Sequence, residues 1–228
     1  MQKRLQAIAG CVPVCTTVAD IGCDHGYVGA SLLKQGVAKE VLFADVSAPS
    51  LQKAKDLCRK RGLEAHARFF VTDGFDGLPP TDVAVIAGMG GRETLAILQK
   101  AQQFPQTLVL QPMQDVALLA GSLAPLGYEI EKDFILRDGK FYRILVAERV
   151  PVPRIPTEEE IRFGRTNLSA PTEDFIAYLQ HTREKWLSIL QKTAVPEVQA
   201  RLCETERLLK ALAVRKESGN RSKEEKTV

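Results

Sequence analysis

Short runs rich in β-branched residues alternate with longer stretches of helical apolar periodicity through the first half of the chain. In such a chain each strand is followed by a helix that covers the sheet, so the pattern predicts βα units around a mostly parallel sheet. The five strands predicted in this part are Thr17–Gly22, Glu40–Asp45, Ala67–Thr72, Asp82–Gly88 and Thr107–Gln111. The predicted helices are residues 1–10, Tyr27–Gln35, Ala48–Arg61, Arg92–Gln103 and Gln114–Pro125. The expected fold class is therefore α/β.

The pattern changes after residue 125 to two neighbouring strands, about Tyr128–Leu136 and Phe141–Glu148. Asp138-Gly139, in the link between them, is typical of a hairpin turn. A nicotinamide-dependent dehydrogenase would usually continue with parallel βα units at this point. A Rossmann-like sheet closed by an antiparallel hairpin strand is instead the arrangement of class I methyltransferases. We therefore expect a mostly parallel, seven-stranded sheet of that kind.

A proline-rich segment, Val150–Pro156, separates this α/β region from a helical one. Proline can neither continue a strand ladder nor sit inside a helix, so the segment predicts a domain boundary. We expect a Rossmann-like domain over residues 1–150. A helical appendage over residues 157–216 should consist of two amphipathic helices paired like an antiparallel coiled coil. Residues 217–228 are polar and highly charged, and we expect them to be disordered.

Composition excludes several classes of protein. Hydrophobic residues make up 45% of the chain and charged residues 26%, as in ordinary globular proteins. No apolar run approaches the roughly 18 residues that a membrane span requires. The five cysteines are odd in number and form no paired CxxC blocks, which argues against a disulfide framework and a structural zinc site. We expect a cytoplasmic protein without an obligate metal. The sequence leaves the oligomeric state open, with a slight preference for a monomer.

The turn after the first strand reads Asp20-Ile-Gly-Cys-Asp-His-Gly-Tyr27 and indicates the cofactor. A dinucleotide fingerprint has a glycine where this chain has Asp24, because a pyrophosphate must meet free backbone amides at the helix start. A carboxylate there would repel a pyrophosphate, but it suits the sulfonium, ammonium and hydroxyl groups of S-adenosylmethionine. An ordinary tight turn is the alternative. We therefore expect Asp20, Gly22 and Asp24, with Cys23 between them, to lie at the cofactor.

Two further acidic residues follow strand ends. Asp45 ends the second strand, where its carboxylate can accept hydrogen bonds from both ribose hydroxyls. It could instead cap the next helix, although Ser47 could do so as well. Asp73 follows the third strand and could bind an adenine edge or simply belong to a turn. The other residues predicted to contact the cofactor are Val46, Gly74, Ala87 and Gly88.

Strand four ends in Ile86-Ala-Gly-Met-Gly-Gly91, at the sheet edge where doubly wound folds bind their ligands. Many amino-directed methyltransferases have an Asn/Asp-Pro-Pro-aromatic stretch there, but this chain has neither the prolines nor the aromatic residue. Its glycines instead let the backbone approach a planar substrate, with Met89 as an adaptable wall. An ordinary glycine-rich turn is the alternative. The predicted catalytic residues are His25, Tyr27, Gly88, Met89 and Gly90.

Together these motifs resemble those of the bacterial tRNA (adenine-22-N1)-methyltransferases, the TrmK-like family. The resemblance covers about residues 1–150. It rests on Asp-Ile-Gly-x-Asp-His-x-Tyr, Ile-Ala-Gly-Met-Gly-Gly, Leu-Gln-Pro at the end of strand five, and a Gly-Lys-Phe-Tyr hairpin. The chain departs from the family pattern at Cys23, Gly26 and Met113, where the family commonly has serine, alanine and asparagine. Any role of that asparagine in holding the base therefore cannot be carried over.

The resemblance implies an S-adenosylmethionine-dependent enzyme that methylates N1 of an adenine in tRNA, at position 22. It also implies that the cofactor is lined by Asp20, Gly22, Asp24, His25 and Tyr27, with Asp45, Asp73 and Gly88 completing its pocket. Neutral N1 has a lone pair and no proton to lose, so positioning and electrostatics can supply the catalysis without a strong general base. Backbone carbonyls around Gly88–Gly90 are the first candidates to bind the adenine N6 amino group. His25 and Tyr27 could serve the substrate or the cofactor, and His25 could also be a structural turn residue.

RNA binding requires basic residues gathered on one surface, because a net charge of +3 is too small to imply a nucleic-acid partner by itself. Such residues cluster in the first predicted helix and in the helix after the second strand. A solvated helix face is the alternative. The predicted RNA-binding residues are Lys3, Arg4, Lys53, Lys55, Arg59, Lys60 and Arg61.

Three other functions stay open at this stage. The first is a methyltransferase that acts on a small molecule or a protein, and the second is an RNA-binding module without turnover. The third is a nicotinamide-dependent oxidoreductase, which the acid in the glycine turn and the terminal hairpin both disfavour.

Overall fold

The computed structural model describes residues 2–193 and 195–224, with side chains up to residue 214. Its sheet has seven strands in the order β3-β2-β1-β4-β5-β7-β6. The strands are β1 Cys15–Ile21, β2 Ala38–Asp45, β3 Ala67–Val71, β4 Val83–Ala87, β5 Thr107–Gln111, β6 Tyr128–Asp138 and β7 Lys140–Arg149. The first five are parallel, and β7 pairs antiparallel with both β5 and β6. The predicted Rossmann-like methyltransferase fold is confirmed.

Helices connect and cover the strands. They are α1 Lys3–Ala9, α2 Tyr27–Lys34, α3 Ala48–Lys60, α4 Gly91–Lys100, α5 Val116–Ser122, α6 Glu158–Phe163, α7 Arg165–Ser169, α8 Glu173–Leu190 and α9 Pro196–Glu224. No helix in the described ranges is long and apolar enough to cross a membrane. Across the same residues, no group of three or more His, Cys, Asp and Glu side chains could hold a metal ion.

The central strands are the most deeply buried part of the protein, because helices cover both faces of the sheet. Every residue of β5 is buried, and in β4 only the last residue is partly exposed. β1 lies between β2 and β4, so the chain reverses its direction of winding there. In open α/β sheets, ligands bind at the carboxyl ends of the strands on either side of this reversal. The fold therefore places the turn after β1 and the turn after β4 at one site.

A buried ion pair ties α6 to the terminal hairpin. The guanidinium of Arg143 on β7 forms a bidentate salt bridge with the carboxylate of Asp133 on β6. Both side chains are almost completely buried. The same guanidinium donates hydrogen bonds to the carbonyls of Glu160, Ile161 and Arg162. Burial raises the pKa of Asp133, although the pairing with Arg143 opposes that shift.

The chain divides into two compact units, one ending at Leu168 and the other beginning at Ser169. This division lies after the proline-rich segment where the sequence predicts a boundary, because the Arg143 hydrogen bonds keep α6 with the sheet. In the second unit α8 and α9 pack together. Helix α9 includes residues 217–224, for which the sequence predicts disorder, and residues 225–228 lie outside the described part of the chain.

Candidate active site

A cavity of about 310 Å³ lies at the carboxyl ends of β1 and β4. Most of the residues predicted for the cofactor and for catalysis meet there. The lining residues are Arg4, Leu5, Asp20, Gly22, Cys23, Asp24, His25, Tyr27, Val28, Ala87, Gly88 and Met89. Asp45, Val46, Asp73, Gly74 and Gly90 were also predicted for the site but do not line this cavity.

The turn after β1 is built from left-handed backbone conformations. Gly22 has a φ of +63° and Gly26 a φ of +67°, which glycine adopts without strain. Asp24, between them, also has a positive φ, of +46°. This conformation is uncommon for a residue with a side chain, and such strain is often retained at functional sites. The backbone N–H of Asp24 donates to Asp45 Oδ2 at 3.0 Å, which holds the turn against the end of β2.

Asp20 is the buried carboxylate of the site, with only 5% of its surface exposed. Its Oδ2 accepts a hydrogen bond from the backbone N–H of Gly29 at 2.9 Å. Burial raises the pKa of Asp20 to about 7, and the nearby Asp45 adds to the shift, while the Gly29 hydrogen bond opposes it. Burial also raises the pKa of the Cys23 thiol, with a contribution from the Asp20 charge, so Cys23 is a neutral lining group.

Asp45 connects the loops that follow β1 and β2. Besides the Asp24 N–H, its carboxylate accepts the backbone N–H of Ser47 at 2.8 Å. Ser47 is the N-cap of α3, since its hydroxyl accepts from the Ser50 N–H at 3.3 Å. The alternative of Asp45 as helix cap is therefore wrong. The neighbouring Val46 is 69% exposed, which leaves an apolar surface beside the carboxylate.

Asp73 and Gly74 have structural partners outside the cavity. Lys100 Nζ donates to the Asp73 carboxylate at 3.2 Å, in an exposed ion pair. Gly74 has a φ of +63°, and a Cβ there would lie 2.8 Å from Ile97 Cγ2. These contacts account for an aspartate and a glycine at a turn. Their contact with a cofactor therefore stays a prediction.

His25 and Tyr27 form an exposed aromatic pair at the cavity. Their rings are stacked, with centroids 5.5 Å apart and an interplanar angle of 14°. His25 Nε2 lies 3.6 Å from Asp24 Oδ2, and 43% of the His25 side chain is exposed. The pair offers a flat apolar surface next to Gly88 and Met89, suited to contact with a planar ligand.

Arg4, which the sequence predicts to bind RNA, lies at the cavity, and its contact with RNA stays a prediction. Its guanidinium lines the cavity, donates to Gln111 Oε1 and lies 5.3 Å above the Tyr142 ring. Its backbone N–H donates to Asp138 Oδ2 at 2.9 Å. Gln111 and Tyr142 thus hold the side chain in the site, and Asp138 anchors the backbone of Arg4 to the hairpin. Lys3, by contrast, is exposed and donates to the Arg137 carbonyl at 3.1 Å.

Gln111 supports the site, a role that its place in the Leu-Gln-Pro motif did not predict. It is completely buried at the end of β5, where its amide accepts from Arg4 and donates to the Pro112 carbonyl at 2.9 Å. Its amide nitrogen also lies 3.5 Å from the sulfur of Met113. The available signal was a polar residue at the end of an otherwise apolar strand, since buried amides are retained only where they find partners.

The basic residues of α3 are exposed, but none of them lines the cavity. Helix α3 begins just after β2 and has 13 residues, so its last turn lies about 20 Å from its start. Arg59 is paired there with Asp56 and Glu64, and Lys55 lies over the Phe69 ring. The structure does not bring the predicted residues Lys53, Lys55, Arg59, Lys60 and Arg61 to the cavity. RNA binding by this surface stays a prediction.

The seven-stranded Rossmann-like sheet and the cavity at its edge are those of a class I methyltransferase. The chain belongs to the methyltransferase domain family, whose model matches residues 1–145. Within it, the chain belongs to the TrmK-like family of bacterial tRNA (adenine-22-N1)-methyltransferases, as the sequence motifs indicated. The protein named "Putative tRNA methyltransferase MG248" of Mycoplasma genitalium is 31% identical over 175 residues, which cover 72% of this chain and 77% of that protein. The tRNA (adenine(22)-N(1))-methyltransferase of Bacillus subtilis is 30% identical over 154 residues, 65% of each chain.

Solved structures agree with this assignment. The crystal structure of the B. subtilis m1A22 tRNA methyltransferase TrmK has a TM-score of 0.69 and 25% identity, covering 93% of this chain and 97% of that one. Streptococcus pneumoniae Sp1610 in complex with S-adenosyl-L-methionine has a TM-score of 0.83 and 26% identity, covering 92% and 99%.

Proposed function

We propose that this chain is a cytoplasmic, S-adenosylmethionine-dependent enzyme that methylates N1 of an adenine in tRNA, at position 22 by likeness to its relatives. The observation that carries the proposal is the cavity at the carboxyl ends of β1 and β4, where an acidic glycine turn faces a glycine-rich segment. Its relatives include a tRNA (adenine(22)-N(1))-methyltransferase and a solved complex with S-adenosyl-L-methionine.

The charges of the cavity fit this cofactor. S-adenosylmethionine has positive sulfonium and ammonium groups and one negative carboxylate. The cavity lining includes the acidic residues Asp20 and Asp24 and the basic residue Arg4. The aspartates suit the positive groups, and Arg4 suits the carboxylate. Asp45 supports this arrangement, because its carboxylate fixes the backbone of Asp24.

The cofactor supplies a methyl group that is electrophilic because it is bonded to a sulfonium. The protein's part is to place the N1 lone pair of adenine in line with that methyl group, since no proton has to be removed from N1. We assign this positioning to the aromatic pair His25 and Tyr27 and to the backbone of Gly88 and Gly90, with Met89 as an apolar wall. None of these groups has to act as a general base.

The proposal is tested by methyl transfer. Purified protein is incubated with labelled S-adenosylmethionine and unmodified tRNA, and the RNA is digested and examined for 1-methyladenosine. We expect the label at adenine 22, and a tRNA with guanine at that position should remain unlabelled. Transfer to a protein or a small molecule but to no tRNA would favour the alternative methyltransferase. No transfer to any tRNA would refute the proposal.

The assignment of Arg4 has its own test. Arg4→Met should raise the dissociation constant for S-adenosylmethionine by about tenfold to a hundredfold, because a charge-assisted hydrogen bond contributes roughly 1.5–3 kcal/mol. Lys34→Met, at the exposed end of α2, is the matched control and should leave that constant unchanged. If Arg4→Met leaves cofactor affinity unchanged but weakens tRNA binding, Arg4 belongs to the RNA-binding surface after all.

A further inference from the structure

The loop after β4 is fastened to the loop after β5 by backbone hydrogen bonds. Gly88 N–H donates to the Gln111 carbonyl at 3.0 Å, Met113 N–H to the Met89 carbonyl at 2.8 Å, and Gly91 N–H to the Gln114 carbonyl at 2.9 Å. Such a ladder continues the pairing of β4 with β5 beyond the strands. The glycine-rich segment is therefore a fixed frame at the cavity, not a loose loop.

The ladder determines which carbonyl of the segment can accept a hydrogen bond from a ligand. The Met89 carbonyl is taken by Met113. The Gly90 carbonyl accepts both the backbone N–H and the hydroxyl of Thr94, each at 2.9 Å. Among the residues that the structure describes, the carbonyl of Gly88 has no donor, and Gly88 lines the cavity. Gly88 is exposed at the cavity, so its carbonyl is open to a hydrogen bond from a ligand N–H, whereas its two neighbours are already engaged.

We propose that the Gly88 carbonyl accepts the N6 amino hydrogen bond of the target adenine and so distinguishes adenine from other purines. This inference rests on the proposed function and adds the group that reads the base. Adenine presents a donor at N6 beside the lone pair of N1. Guanine and inosine present a carbonyl at C6 and a proton on N1, so both would place oxygen against oxygen and offer no nucleophile. A single acceptor next to N1 therefore selects the reactive base.

Gly91 is the positioning residue that holds this carbonyl. A Cβ at Gly91 would lie 2.5 Å from the carbonyl oxygen of Asp115 and 2.8 Å from that of Gln114. Both oxygens are backbone atoms, so a larger residue would separate the two loops. Asp115 has a positive φ of +52°, and its carboxylate accepts from Arg92 Nε at 3.2 Å. This pair holds the second loop in the shape that Gly91 requires.

The first experiment uses wild-type enzyme and altered substrates. The target adenosine of a tRNA is replaced by purine riboside, which keeps N1 but lacks the amino group, and by N6,N6-dimethyladenosine, which lacks the N–H. Rates are corrected for the intrinsic reactivity of N1, measured on the free nucleosides with a simple methylating agent. We expect kcat/KM to fall about tenfold or more for both beyond that correction. Turnover of purine riboside at the corrected rate would overturn the inference. Failure with natural tRNA would instead refute the proposed function.

The second experiment tests Gly91. Gly91→Ala should lower kcat and reduce the preference for adenosine over purine riboside, with little change in S-adenosylmethionine affinity. Gly121→Ala on α5, where a Cβ would meet only the flexible Ile161 side chain, is the control. Arg92→Gln removes the exposed ion pair with Asp115 and serves as a second variant if Gly91→Ala does not fold. It should reduce the preference for adenosine over purine riboside, but by less than Gly91→Ala. An unchanged preference in a folded variant would exclude the positioning role.

Discussion

Replacing Asp20 with asparagine should stabilise the ligand-free protein at neutral pH and at the same time weaken cofactor binding. The carboxylate is almost completely buried, and among the residues that the structure describes no cationic group is in hydrogen-bond contact with it. In that part of the chain its backbone donor is the Gly29 N–H. Folding must therefore transfer a charged carboxylate out of water, and a single backbone hydrogen bond compensates for little of that cost. An asparagine carbonyl can accept the same Gly29 hydrogen bond, so the substitution removes the charge and keeps the contact.

The magnitude follows from the pKa of Asp20. Burial raises it from 3.8 to about 7, a difference of about 3 units, and each unit corresponds to about 1.4 kcal/mol. Between these two values the folded state binds a proton that the unfolded state has released. The free energy of unfolding of the wild type therefore decreases as the pH rises through this window. The asparagine variant has no such dependence, so it should gain up to about 4 kcal/mol relative to the wild type by pH 7, and no more above it.

The assay is urea denaturation of both proteins from pH 4.5 to pH 8.5, with the difference in unfolding free energy plotted against pH. Asp76→Asn, at an exposed position, is the control and should show a difference that does not change with pH. Calorimetry at pH 8 should show that Asp20→Asn weakens S-adenosylmethionine binding by about thirtyfold or more, as expected when one partner of an enclosed charge pair is removed. A stability difference that stays flat between pH 4.5 and pH 7 would refute the reasoning.

Three further predictions concern the supports of the site and the RNA. Asp45→Asn should weaken cofactor binding measured by calorimetry, because one amide oxygen cannot serve both backbone donors that the carboxylate now accepts. Arg143→Met should lower the free energy of unfolding by about 3–5 kcal/mol in urea denaturation, because it leaves the Asp133 carboxylate buried without its partner. Replacing Lys55 and Lys60 with glutamate should weaken tRNA binding in filter assays and flatten its dependence on salt.

Each of these predictions has a result that would contradict it. Wild-type affinity of Asp45→Asn for the cofactor would mean that the two loops do not need the carboxylate. For Arg143, the double variant with Asp133→Leu separates the lost pair from the lost packing, and it should recover much of the stability. An unaltered salt slope in the lysine variants would remove α3 from the RNA interface. The control replaces two exposed lysines outside α3, Lys34 and Lys39, with glutamate, which gives the same change in net charge.

The elements of the fold could be predicted because their signals are local. Strand β5 has the predicted bounds, Thr107–Gln111, because a short β-prone run directly followed by a proline must end before that proline. Helix α3 begins at Ala48 as predicted, just after a serine that caps it. The glycine turn after β1 was recognisable for the same reason, since its residue types and spacing lie within eight positions of the chain.

The placement of Arg4 could not be predicted, because it depends on residues far away in the chain. The sequence shows a basic helix, and such helices are usually solvated. The partners that draw Arg4 into the cavity are Gln111, Asp138 and Tyr142, each more than 100 positions away. The same limit applies to Asp73, because nothing nearby in the sequence reveals that Lys100 pairs with it. Periodicity specifies which face of an element is buried, but not which distant group it meets.

The reaction depends more on where the groups of the active site lie than on whether they are protonated. Because N1 of adenine attacks as a neutral lone pair, an acid or base in the cavity gains nothing from a pKa tuned for proton transfer. We therefore expect the raised pKa of Asp20 to matter for cofactor binding, where the positive charge of the ligand would offset the cost of the buried carboxylate. Substrate selection falls instead to the backbone at Gly88, whose place depends on the ladder to β5. It follows that Asp20 should control affinity for the cofactor, while Gly91 should control the rate and the choice of base.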